Sequence, residues 1–213
     1  LGAGVIFSRQ LRGQLNEAMR EFLQADKLVL GICNGFQTIL KAGLVMRRGI
    51  DNAEEKSWED QITLTWNSNG RYTDRWVRLK VTSCNSVFLK GVDEFDVPMA
   101  HAEGRIAFKH PDLLDTLREN AQLAACYWSP AANEMLKTTN DPTRIGLLPE
   151  PENPNGSIAN IAGLCDTTGR VLGLMPHPER FLFATQHPQW TRLGLRGEGD
   201  GIKVFRNAIE YFG

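Results

Sequence analysis

Residues 28–37 read Leu-Val-Leu-Gly-Ile-Cys-Asn-Gly-Phe-Gln. An apolar run ends abruptly in a cysteine set between two glycines, and Asn34 to Ala42 then has the composition of a helix. A strand that passes straight into a helix is one unit of the alternation that argues for α/β architecture. With a nucleophile at the apex, the strand–turn–helix is a nucleophile elbow, and its small flanking residues permit the strained turn. A cysteine at a helix N-terminus also feels the positive end of the helix dipole, which favours the thiolate. The Asn34 N–H points to where the oxygen of an attacked carbonyl would sit. Taken alone, Cys33 also fits a small buried core residue, because cysteine is among the most buried residue types.

A second motif decides between these. Residues 175–180 read Met-Pro-His-Pro-Glu-Arg and follow the strand-like Val171-Leu172-Gly173-Leu174. Prolines on both sides of His177 exclude a helix interior and favour an extended backbone. In an extended chain, residues i and i+2 project to one side. That sets Glu179 beside His177, the carboxylate holding one imidazole nitrogen and the other left as base toward a thiol. Cys33, His177 and Glu179 thus supply nucleophile, base and orienting group.

The remaining pattern is interleaved. Ser8 caps a predicted helix with Leu11, Leu15, Met19 and Phe22 on its apolar face. Strands are predicted at 27–32, 61–66, 76–82, 122–128, 158–164 and 170–174. Helices are predicted at 111–119 and 200–212, the latter with Ile202, Phe205, Ile209 and Phe212 as its core stripe. The alternation predicts an α/β fold with a mostly parallel central sheet flanked by helices. Segments 54–58 and 129–156 are loop-rich and are expected at the surface, near the site or a partner.

At 213 residues the chain is one domain by length. Its net charge of −1, with no basic run, disfavours nucleic acid and anionic membrane as partners. No apolar stretch approaches the about 18–20 residues that cross a bilayer. The four cysteines (Cys33, Cys84, Cys126, Cys165) form no Cys-x-x-Cys pair and lack zinc-like histidine spacing. This pattern predicts a reduced, cytoplasmic setting, no metal, and inert or core thiols at the three besides Cys33. No Walker-type phosphate loop occurs, so no cofactor site is expected in this chain. The glycines at 194, 197, 199 and 201 read as a flexible loop, and His110 and His187, each before a proline, as loop or helix-start residues.

Several further blocks accompany the two motifs. They are Asn67-Ser68-Asn69-Gly70-Arg71-Tyr72, Pro98-Met99-Ala100-His101-Ala102-Glu103-Gly104-Arg105, Asn153-Pro154-Asn155-Gly156-Ser157 and Ile161-Ala162-Gly163. With the Asn-Gly-Phe-Gln elbow, they resemble the class I (triad-type) glutamine amidotransferases. More narrowly, they resemble the small glutaminase subunits of phosphoribosylformylglycinamidine synthase. The resemblance implies a flavodoxin-like sheet and a chemistry in which Cys33 attacks the carboxamide of glutamine. His177 shuttles the proton, and a γ-glutamyl thioester is hydrolysed. It also implies that Asn34, Gln37, His101, Gly104 and Arg105 contact glutamine. The Asn153–Ser157 loop is expected to be structural support or a partner contact.

Relative to that family the nucleophile comes early. Residues 1–213 therefore read as a glutaminase domain lacking roughly two N-terminal βα units of about 30 residues each, which in the family carry a glycine-rich turn and a second oxyanion donor. Ammonia released to water at neutral pH becomes ammonium, so the resemblance implies direct transfer to a partner. That partner is an ATP-dependent synthetase holding ATP and Mg, often with a small third subunit. It makes formylglycinamidine ribonucleotide from formylglycinamide ribonucleotide. The alternatives are a stand-alone γ-glutamyl cysteine hydrolase on the same fold and a non-catalytic scaffold.

Overall fold

The computed structural model describes residues 2–46, 61–82, 84–130, 132, 139 and 141–213. Two helices, α1 (Gly2–Arg12) and α2 (Asn16–Gln24), lead into strand β1 (Val29–Ile32) and helix α3 (Asn34–Lys41). They replace the single helix expected from Ser8 onward. Ser8 lies inside α1, buried, with its hydroxyl donating to the Val5 carbonyl at 2.8 Å rather than capping a helix end. The break falls at Gly13–Leu15, where a glycine weakens helix continuation. Leu11 and Leu23 are buried, while Leu15 and Phe22 are exposed.

Among the described residues, six strands form the main sheet. They are β1, β3 (Thr73–Val81), β4 (Glu94–His101), β6 (Leu123–Trp128), β7 (Ile161–Cys165) and β8 (Val171–Leu174), in the order β1-β8-β7-β6-β3-β4. Strands β2 (Ile62–Trp66) and β5 (Glu103–Phe108) form a separate antiparallel pair. The α/β class holds, with helices flanking a central sheet. The mostly parallel sheet does not: among the described strands β1 and β8 run parallel, and every other pair in this sheet is antiparallel. Short connections account for this. The Asp166–Arg170 turn between β7 and β8 is far shorter than the dozen or so residues a parallel crossover needs.

Strands β4 and β5 are absent from the sequence-based prediction. Pro98 sits mid-strand in β4, which normally argues against a strand. Here β4 ends the sheet order, paired only to β3 among the described strands, and an edge strand tolerates the missing N–H.

The sheet separates two apolar layers. One packs Phe36, Ile39 and Leu40 of α3 against Ile161, Leu164 and Val171, with Leu113 and Leu117 of helix α4 (Leu113–Glu119) in the same cluster. The other packs Leu79, Phe95, Val97, Met99 and Tyr127 against Val204 of helix α5 (Ile202–Glu210). Neighbouring positions on one strand face opposite layers, as with Ile161 and Ala162, which is the period-two alternation of a strand. In α5 the buried anchor is Val204, flanked by Phe205 and Ala208, whereas Ile209 is exposed, as is Phe212 past the helix end, so the expected stripe is not the buried face throughout. Gly173 is the contact point for α3: a Cβ there would lie 2.0 Å from the Phe36 ring.

Segment 54–58 lies outside the described residues. In the 129–156 stretch, Asn153 and Asn155 are buried rather than displayed at the surface. Among the described residues no helix is long and apolar enough to cross a membrane.

Candidate active site

Cys33 occupies the turn between β1 and α3 with φ 52° and ψ −107°. A side chain held at positive φ costs free energy, and such strain collects at functional turns. Gly31 makes the turn possible, because a Cβ there would lie 2.7 Å from both the Gly35 carbonyl oxygen and Ile39 Cδ1. Gly35 has no such role, since an added Cβ meets nothing within 4 Å. The helix begins with Gln37 N–H donating to the Cys33 carbonyl at 3.1 Å. The N–H groups of Asn34, Gly35 and Phe36 precede that bond and have no intrahelical acceptor, which suits them to a developing oxyanion.

The parallel pairing of β1 and β8 brings the second motif alongside. Ile32 is in register with Leu174, and Cys33 N–H donates to the Leu174 carbonyl at 2.8 Å. Both strands therefore release their functional residues at the same carboxyl edge of the sheet, where open α/β sheets bind ligands. Past Leu174 the chain is pinned to β4 by the His177 N–H, which donates to the Pro98 carbonyl at 2.7 Å. The edge proline thus serves the site through its oxygen. Pro178–Arg180 then forms a 3-10 turn, not the extended backbone expected from the flanking prolines. The pairing with Glu179 is present all the same, with His177 Nδ1 and Glu179 Oε1 2.6 Å apart.

His177 is buried, and burial alone pushes an imidazole toward the neutral form. The Cys33 sulfur and the Glu179 carboxylate outweigh that and hold its pKa up to about 9. Burial likewise works against charge on Glu179, but the His177 hydrogen bond and the nearby Arg180 guanidinium keep the carboxyl below its ordinary range. Glu179 Oε1 also lies 3.5 Å from Arg180 Nε. The buried Nε2 of His177 has no other hydrogen-bond partner, leaving it to the thiol.

Cys33, Asn34, Gln37, His101 and His177 line one open cleft of about 500 Å³. Glu179 stands behind His177. Gly104 and Arg105 lie beside the cleft rather than in its wall. Gly104 makes room for His101: a Cβ there would lie 2.2 Å from the imidazole Cε1. Arg105 sits in β5 opposite Thr65, with its Nε buried and unpartnered. Gln37 is buried and donates through Nε2 to the Glu103 carbonyl at 2.9 Å, tying the elbow helix to the start of β5. Tyr72, Glu103 and Arg180 also line the cleft, and none of them is a candidate site residue by sequence. Each stands inside a motif block, which was the available signal.

The Asn153–Ser157 loop is buried scaffolding. Asn155 Nδ2 donates to the Gly104 carbonyl at 2.9 Å and lies 3.1 Å from the Tyr127 hydroxyl. Ser157 Oγ accepts from Ile106 N–H at 3.0 Å, and Ser68 N–H donates to the Asn155 carbonyl at 3.0 Å. The loop thereby fixes the strand that carries Gly104 beneath His101. His187 packs in an aromatic cluster with Trp76 and Phe181, away from the triad. A larger groove of about 750 Å³ between Val81–Val92 and α5 contains no triad residue. Among the described residues no cluster of three histidine, cysteine or acidic side chains could hold a metal.

Residues 1–212 match the model of the CobB/CobQ-like glutamine amidotransferase domain. The chain belongs to this glutamine amidotransferase family. It is 37% identical over 212 residues to the phosphoribosylformylglycinamidine synthase subunit PurQ of Dehalococcoides mccartyi, covering 99% of this chain and 74% of that protein. It is 36% identical over 221 residues to the subunit PurQ of Methanococcus maripaludis strain C7, covering 99% and 75%. In fold it is similar to a chain of the PurLQS structure from Thermotoga maritima, with a TM-score of 0.61 at 24% identity, covering 100% of this amidotransferase and 74% of that chain.

Proposed function

We propose that this amidotransferase is the glutaminase subunit of phosphoribosylformylglycinamidine synthase in purine biosynthesis. One observation carries the chemistry: Cys33, at a positive-φ elbow, shares a cleft with His177, whose Nδ1 is held 2.6 Å from Glu179. The kind of subunit follows from the family and from relatives that bear the PurQ name along nearly the whole chain.

In the mechanism, the Cys33 sulfur attacks the side-chain carbonyl of glutamine, and the carbonyl π pair moves onto oxygen. N–H groups at the start of α3 stabilise that oxygen. His177, with its pKa held near 9, keeps its proton at neutral pH and is set to deliver it to the departing nitrogen. Collapse of the tetrahedral species breaks the C–N bond and leaves a γ-glutamyl thioester. His177, now neutral, takes a proton from water, whose oxygen attacks the thioester and releases glutamate and the Cys33 thiolate. Glu179 keeps the imidazole oriented throughout. Asn34 and His101 face the substrate, with Gln37, Gly104 and Arg105 holding the wall that contacts it.

Ammonia protonated in bulk water is no nucleophile. The product therefore passes to a synthetase partner that holds ATP and Mg and uses formylglycinamide ribonucleotide, with a small third subunit completing the assembly. The four cysteines, none of them in a disulfide, fit a reducing cytoplasm.

The test is glutamate release by the chain together with its synthetase, followed by acid quench and mass analysis of the Cys33 peptide. A γ-glutamyl adduct on Cys33 supports the proposal. Turnover of γ-glutamyl peptides without any partner points instead to a stand-alone hydrolase. No glutamate and no adduct in the assembled complex points to a scaffold.

A further inference from the structure

Asn67 follows β2 and is buried against the end of β4. Its carboxamide nitrogen donates both hydrogens, one to the Arg71 carbonyl at 3.0 Å and one to the His101 carbonyl at 2.8 Å. Its backbone N–H donates to the Ala102 carbonyl at 2.8 Å. The reverse orientation of the amide would set its oxygen against two carbonyl oxygens, so the orientation is fixed. Oδ1 then faces His101 Nδ1 at 3.1 Å. An amide oxygen has no proton to give, so the proton of this hydrogen bond belongs to Nδ1.

The other ring nitrogen follows by subtraction. His101 is buried, and burial together with the charge of His177 pushes its pKa down to about 4. Cys33, Tyr72, Glu103, His177 and Arg180 are the titratable groups that share its cleft. A neutral ring with its proton on Nδ1 has a bare lone pair on Nε2. That nitrogen is buried and without a hydrogen-bond partner in the protein. A buried acceptor left unpaired is unfavourable, unless a ligand supplies the donor.

We infer that Asn67 is a positioning residue that locks His101 in its Nδ1–H tautomer, so that Nε2 serves the cleft as an acceptor for an N–H of the substrate. A ligand without a donor at that point leaves Nε2 unpaired, so Asn67 acts on substrate selection while itself bonding only to the protein. The identity of the donor rests on the glutaminase proposal: glutamine offers two, its α-ammonium and its carboxamide. The tautomer itself does not depend on that proposal.

The test is a two-bond ¹⁵N–¹H correlation spectrum of the full chain labelled at histidine, in which the four imidazoles are resolved. At neutral pH His101 is expected to show a protonated Nδ1 and a bare Nε2. Asn67→Asp keeps an acceptor beside Nδ1 and adds a negative charge, which is expected to make the ring doubly protonated, while its second oxygen, set against the Arg71 and His101 carbonyls, is expected to lower the denaturant midpoint. With the synthetase present, that variant is expected to raise the glutamine KM by about tenfold or more, with a smaller change in kcat. A penalty confined to glutamine, and absent for the analogue lacking its α-amino group, assigns the α-ammonium as donor. A penalty on both assigns the carboxamide. A wild-type spectrum with the proton on Nε2 overturns the inference, and so does a variant with a charged ring and an unchanged KM. If Asn67→Asp does not fold, the wild-type spectrum still decides the tautomer. If glutamine is not turned over at all, the glutaminase proposal fails while the spectrum still answers for Asn67.

Discussion

His177 Nδ1 lies 2.6 Å from Glu179 Oε1, across a 3-10 turn rather than along an extended strand. The turn lets two residues so close in sequence meet through their side chains while the His177 N–H is anchored to Pro98. The imidazole is thus fixed at both its backbone and its ring.

Glu179→Gln removes the charge that helps hold the His177 pKa near 9. The glutaminase kcat is expected to fall by about 100-fold or more, in the range of general acid–base contributions, with little change in KM. The sign of the pH effect is fixed as well. In the wild type the imidazolium is lost as pH rises through about 9, so the alkaline limb lies there; in Glu179→Gln it moves to lower pH. The stability contributed by this raised pKa is fully present below the unfolded value of about 6.5 and is lost as pH climbs to the folded one. A pH–rate profile and a pH series of denaturant midpoints check both statements.

The two elbow glycines are predicted to behave differently. Gly31→Ala drives a Cβ to 2.7 Å from backbone at Gly35, which cannot yield without moving the helix. A loss of about 1–3 kcal/mol is expected, as for overpacked sites. Gly35→Ala meets open space on a helix and is expected to hold or raise stability by up to about 1 kcal/mol. Urea titration of the two variants measures the contrast.

Asn155→Leu takes the donor away from the Gly104 carbonyl and a partner away from the buried Tyr127 hydroxyl. The expected cost is about 1–3 kcal/mol for buried polar groups left unpaired. Because Gly104 packs directly under His101, the glutamine KM is also expected to rise. Thermal unfolding and steady-state kinetics on the same preparation test whether the two effects come together.

An opposite expectation holds for Arg78, which makes two bonds to Asp96 on the exposed side of β3 and β4. Solvent screens this pair, so Arg78→Ala is expected to cost less than about 1 kcal/mol despite the good geometry. A denaturant midpoint close to wild type is the result to look for.

The legible parts of the sequence were those whose geometry is local. The elbow announces itself because a strand, a cysteine and a helix start fall within ten residues, and the histidine motif because two prolines bracket it. Strands β4 and β5 were hidden by Pro98 and by the charged residues of a half-exposed pair, and only sheet position shows why the proline is tolerated. The break between α1 and α2 was masked because the apolar spacing of Leu11 and Leu15 runs unbroken across Gly13. Strand direction depended on connection lengths that become countable only once β7 and β8 are located. Asn67 gave no sign of its bond to His101, because that contact spans 34 positions and exists only after β2 has paired with β5 and brought Asn67 to the end of β4. The 129–156 stretch read as surface loop, yet Asn155 within it is fully buried, its amide donating to the Gly104 carbonyl.

The most direct test of the glutaminase assignment compares two nitrogen sources in the complex of this chain with its ATP-dependent synthetase. Wild type is expected to make formylglycinamidine ribonucleotide from glutamine. Cys33→Ala is expected to lose that activity while ammonium salt still supports the reaction. Undiminished glutamine-dependent synthesis by Cys33→Ala would contradict the account, because the elbow cysteine would then not be the nucleophile.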